Sequence, residues 1–197
     1  MSQYGGFGQT FDLTFLGSDE IPLESFRTKL IENGLSLKKT NPTLDWVEWT
    51  RPQGPVILAA NTHRGLGYSW IILGFDNREL RSLSTIEDRK CFVDDFLDLG
   101  GLLWSAFSLS EGILAPEEGG VLFSNVKEEK FPYDSLRFNY ASFLGQEIIG
   151  SSRVHEWVHE KHPQASIQRL AKEGELIIWD SSKEGLARLL EDEFHIV

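Results

Sequence analysis

Residues 155–159 read His155-Glu156-Trp157-Val158-His159, an H-E-x-x-H pattern. Two histidines four apart on a helix share one face and can both ligate zinc. The glutamate between them can then act as general base on a metal-bound water. A catalytic zinc needs a third protein ligand and an open position for water. The extended form of the pattern, with a third histidine six residues after the second, is absent because position 165 is Ala165. A distant carboxylate would have to serve, and Glu173, Glu175 and Glu184 lie downstream. His162, three residues after His159, extends the cluster.

The surroundings point the other way. Glu160 follows the second histidine, where a buried active-site helix would carry an uncharged residue, and the segment is bracketed by Gly150-Ser151-Ser152 and Pro163. The bland expectation is an amphipathic surface helix, with Val154, Trp157 and Val158 inward and His155, Glu156, His159, Glu160 and Lys161 toward water.

Other constellations are thinner. Asp94, Asp95 and Asp98 match D-D-x-x-D, which can hold Mg²⁺ against a diphosphate. Enzymes of that kind are large helical bundles, so the solvated face of an amphipathic helix accounts for these residues. Gly5-Gly6-Phe7-Gly8 and Gly65-Leu66-Gly67 lack the spacing and the following Lys-Ser/Thr of a phosphate loop. Cys91 follows Lys90, but among apolar neighbours on an expected helix it reads as a buried structural thiol. Asn61, His63 and Arg64 fall in an expected turn at a sheet end. No G-x-S-x-G is present.

These residues must be positioned by a chain of 197 residues, 41% hydrophobic and 25% charged, long enough for one well-filled core. Phe11, Leu13 and Phe15 alternate as in a strand with one buried face. Residues 22–33 read as a helix, with Pro22 in its first turn and Gly34 just past its end. Strands are expected over 45–50, 55–60 and 68–75. A long helix opens at Ser84, with Glu87 as its capping-box partner and Ile86, Val93, Phe96, Leu97, Leu103, Trp104 and Phe107 as its apolar stripe. Gly100-Gly101 is where it would kink or split. A short strand is expected over 121–124, a helix capped by Ser151 or Ser152 through His162, a hairpin around 172–174, and a last helix from Ser182 with Leu186, Leu189 and Leu190.

The expected class is α+β: a mostly antiparallel sheet with helices packed on one face, its element order hinting at two similar α/β halves. One domain over 1–197 is expected, with a flexible arm over 1–8 and a sub-division point near 127–134.

Net charge is −11, which repels phosphate backbones and argues against nucleic acid as partner. The one cysteine precludes an internal disulfide, no secretory start or membrane-length apolar run is evident, and the expectation is a cytoplasmic protein. Thirteen Phe, six Trp and four Tyr supply both core and interface material. With acidic stretches expected in exposed loops at 111–119 and 127–134 and no complete catalytic constellation, the sequence predicts an acidic protein-binding module. An immunity or inhibitor protein that masks a basic partner is its concrete form. The alternative is a zinc-dependent hydrolase with His155 and His159 as ligands and Glu156 as base.

Overall fold

The structure, a computed structural model, describes residues 10–17, 21–40, 47–50, 57–65, 68–76, 80, 82–116, 140–151, 154–180 and 182. The expected strand at 121–124, the 127–134 segment, the last helix and the N-terminal arm lie outside them.

The fold is α+β. Its strands are β1 (Thr10–Gly17), β2 (Ser36–Thr40), β3 (Val47–Thr50), β4 (Ile57–Gly65), β5 (Tyr68–Asp76), β6 (Leu109–Pro116), β7 (Ala141–Gly145), β8 (Ser166–Arg169) and β9 (Gly174–Ile178). They form one antiparallel sheet in the order β2-β3-β4-β5-β1-β6-β7-β9-β8. The alternating Phe11, Leu13 and Phe15 seed its centre, since β1 pairs with β5 on one side and β6 on the other. β2 was not anticipated. It is an edge strand, its Leu37 stays exposed, and two of its five residues are lysines, so it carries little apolar signal.

Helix α1 (Leu23–Glu32) buries Phe26 and Leu30. It ends at Gly34, whose φ of 80° places it in the left-handed region. The Gly34 and Leu35 amides donate to the Ile31 and Leu30 carbonyls, closing the last turn. Helix α2 (Ile86–Ala106) starts one residue later than the sequence suggests: Thr85 caps it, accepting from the Asp88 amide while Asp88 accepts from the Thr85 amide. It buries Val93, Phe96, Leu97, Leu99, Leu103 and Trp104.

Both helices lie on the sheet face built by Leu13, Phe15, Leu73, Phe75, Leu114 and Phe143, where the main core forms. Helices α3 (Gln146–Ser151) and α4 (Val154–Lys161) do not. They pack a second core on Leu144, Ile177 and Trp179, which alternate with Phe143, Leu176 and Ile178 of the main core and so point through the opposite face. The expectation of helices on one face is thus corrected. β7 is buried throughout, because it has a core on each side.

α2 runs unbroken through Gly100-Gly101 rather than splitting. Gly100 is a point of close approach: a Cβ there would meet Leu13 Cδ2 at 2.8 Å, Phe143 Cζ at 2.9 Å and Phe15 Cζ at 3.2 Å. All three neighbours are fully buried and cannot give way cheaply. Overpacking costs about 1–3 kcal/mol, against at most about 1 kcal/mol of gained helix propensity. Gly100→Ala is therefore expected to destabilise. Gly101→Ala, with open space around its added methyl, is expected to stabilise by up to about 1 kcal/mol. Urea unfolding of the pair checks this, and equal signs for the two would contradict the packing.

Candidate functional site

α4 forms because Val154 and Val158, one turn apart, both bury against β7 and β9. The His162 amide still donates to the Val158 carbonyl at 2.8 Å, and Pro163 follows. Trp157 seals the outer side of this small core, its ring 5.4 Å from Trp179 at 67° and 4.5 Å from His162. Trp179 Nε1 donates to Ser142 Oγ at 2.9 Å, satisfying both buried groups.

The candidate residues occupy the remaining faces of α4. Glu156 and His159 are exposed, and the His155 side chain is 43% exposed. His155 Nε2 lies 2.5 Å from Oε2 of Glu175. Glu175 projects from β9 between Leu144 of β7 and Arg169 of β8, and its side chain is 17% exposed. Of the three downstream carboxylates, then, Glu175 reaches His155; Glu173 is exposed in the β8–β9 bend, and Glu184 is outside the described residues. As the side chains stand, no three His, Cys, Asp or Glu groups among the described residues converge on one point. His162 is spent on the two tryptophans rather than on the His155/His159 face.

The outward face of α2 is the other concentration of functional groups. Glu87, Asp88, Asp95 and Asp98 are exposed along it, and Leu102, 48% exposed, ends the line. Lys90, at the edge of this face, pairs with Asp94 one turn on; Arg89 lies on the sheet-facing side, in line with Val93 and Phe96, and its Nε donates to the Leu83 carbonyl at 3.3 Å. Glu87 and Asp88 also favour the helix N-terminus, where carboxylates offset the positive end of the macrodipole. Cys91 lies on this same face and is exposed, not the buried thiol expected: its apolar sequence neighbours Phe92 and Val93 turn inward and carry it out. Behind Asp94 sits Tyr140, buried in the main core. Burial, and secondarily the Asp94 charge, push its phenol up to about 12.

Two expectations fail on this part of the chain. The sequence predicts an exposed acidic loop from Glu111, but residues 111–116 belong to β6, between β1 and β7, and Glu111 is 1% exposed. The sequence predicts a turn at His63, but the residue lies within β4, across from Ser69 of β5. No described helix is long and apolar enough to cross a membrane.

Comparison with protein-family models, curated proteins and solved structures finds no match to this chain.

Proposed function

We propose that the protein is an acidic protein-binding module that docks a basic partner, in the manner of an immunity or inhibitor protein. The observation that carries this reading is the outward face of α2. That helix is anchored to the sheet by an apolar stripe, and its other side presents four exposed carboxylates and a terminal exposed Leu102, with Lys90 paired to Asp94 at its edge. A charged face with an apolar end steers a basic protein by long-range attraction and then gives it something to bury. The net charge of −11 adds to the steering. With residues 111–116 inside the sheet, the reading no longer draws on an acidic loop there.

The test is quantitative capture. Partners retained by the wild type are identified, then measured against Asp95→Lys/Asp98→Lys. The expected partner is basic, loses about tenfold or more in affinity to the double variant, and associates more slowly as salt rises. A partner held equally by both proteins, or an acidic one, would sink the proposal.

A second reading, a zinc-dependent hydrolase with His155 and His159 as ligands and Glu156 as general base, is supported by the carboxylate of Glu175 standing at His155. It requires first that the metal bind.

A further inference from the structure

We propose that His155, His159 and Glu175 form a zinc-binding site on the solvent side of α4, with the sheet supplying the third ligand. The helix and the strand bring unequal parts to it. Glu175 is fixed: it lies on a paired strand, with Leu144 and Arg169 as its register neighbours. His155 is held to it, Nε2 to Oε2, at 2.5 Å. His159 follows one helical turn later, exposed, and its ring is able to turn. Val154 and Val158, each one residue before a histidine, anchor the adjacent side of the helix in the second core, so the backbone that carries both imidazoles is itself positioned.

The contact between His155 and Glu175 is the proton-bridged form of a ligand pair. Zn²⁺ binds imidazole nitrogen and carboxylate oxygen at about 2.0–2.2 Å, and two ligand atoms on one tetrahedral ion stand about 3.3 Å apart. Replacing the shared proton by the metal therefore asks the pair to open by less than about 1 Å. Because no three groups converge as the side chains stand, His159 must also swing toward them. Its exposure leaves it room to do so. Two imidazoles and one carboxylate are a donor set suited to zinc rather than to Mg²⁺ or Ca²⁺, which take oxygen ligands. The exposed side of the helix leaves the fourth position to water.

The site needs no hydrolytic step, and it is independent of the acidic face of α2. Its test is competition for Zn²⁺ against a chromophoric chelator, using the full chain of wild type, His159→Ala, Glu175→Gln and, as a nearby charge control, Glu160→Gln. Thermal unfolding without metal confirms that each variant folds. The expected result is one Zn²⁺ per wild-type chain and affinity lower by about tenfold or more in both His159→Ala and Glu175→Gln. Glu160→Gln should bind as the wild type does, and Mg²⁺ should not compete. Wild-type affinity in Glu175→Gln would reduce the site to a surface histidine pair and overturn the proposal, as would no stoichiometric zinc in the wild type. Zinc bound as proposed, with no hydrolysis of peptide or ester probes, would remove the hydrolase reading and leave the site. Absence of zinc would remove both.

Discussion

Phe143→Ala is expected to cost about 3–5 kcal/mol, the usual range for deleting a fully buried phenylalanine. Phe143 has no exposure to solvent. Its ring meets Phe15 edge-on at 4.9 Å, stacks on Trp104 at 6.0 Å, and lies under Gly100, so β7, β1 and α2 all converge on it. The helix approaches closely at Gly100 because that residue has no side chain, and it has no obvious means of sinking further into a vacated ring. The cavity term should therefore be added to the transfer term nearly in full. A domain of this kind has roughly 5–15 kcal/mol in total, so the variant should melt about 6–20 °C lower or fail to fold. Leu102→Ala, on the exposed side of the same helix, should fall within about 0.5 kcal/mol of wild type. Thermal and urea unfolding of the two variants is the measurement. A loss below about 1 kcal/mol at Phe143 would mean that the sheet and α2 do not meet as described.

The parts of this fold that were legible in the sequence are those with a single buried face. β1 was read correctly because Phe11, Leu13 and Phe15 enter one core while Asp12 and Thr14 turn away. α1 and α2 were read for the equivalent reason at helical spacing, and the cap of α2 was misplaced by one residue only because Ser84 and Thr85 offer the same chemistry. The reading failed where the period is lost. β7 has a core on both faces, so Ala141 to Gly145 shows no alternation that would mark it as a strand. For the same reason nothing in the sequence revealed that α3 and α4 lie across the sheet from α2. β6 misled differently: Glu111, Gly112 and Pro116 are loop-like residues, yet in register they face Leu16, Phe15 and Phe11 of the central strand.

The candidate site divides along the same line. The inward and outward faces of α4 follow from spacing alone, since Val154 and Val158 are four apart and the histidines sit beside them. That Glu175, twenty residues from His155, is the carboxylate that meets it depends on the β8–β9 hairpin reversing the chain and on β9 pairing with β7. A pairing register sets that contact, and one residue of slip would have turned Glu175 into the opposite face. The sequence could name three carboxylates but not choose among them.

Tyr140 provides the test of how α2 is seated at its acidic end. Its phenol is pushed up to about 12 from an ordinary 10.0, first by burial in the main core and then by the charge of Asp94. The folded protein therefore keeps the proton between pH 10 and 12, where the unfolded chain has released it. Stability from this group is complete below pH 10 and is lost as the pH rises toward 12, because the unfolded state then binds fewer protons than the native one. The full loss is roughly 2–3 kcal/mol. Tyr140→Phe cannot ionise and should not show it. Urea unfolding of both proteins from pH 9 to 12 isolates the residue, since every other titrating group is common to the two and cancels in the difference. The wild type should lose stability relative to Tyr140→Phe only above pH 10. Asp94→Asn removes the smaller cause and should make the loss somewhat smaller without moving its onset near pH 10, leaving most of the effect in place because burial is the larger cause. Parallel curves for wild type and Tyr140→Phe across that range would show that the phenol is open to solvent, and that α2 does not close over the start of β7.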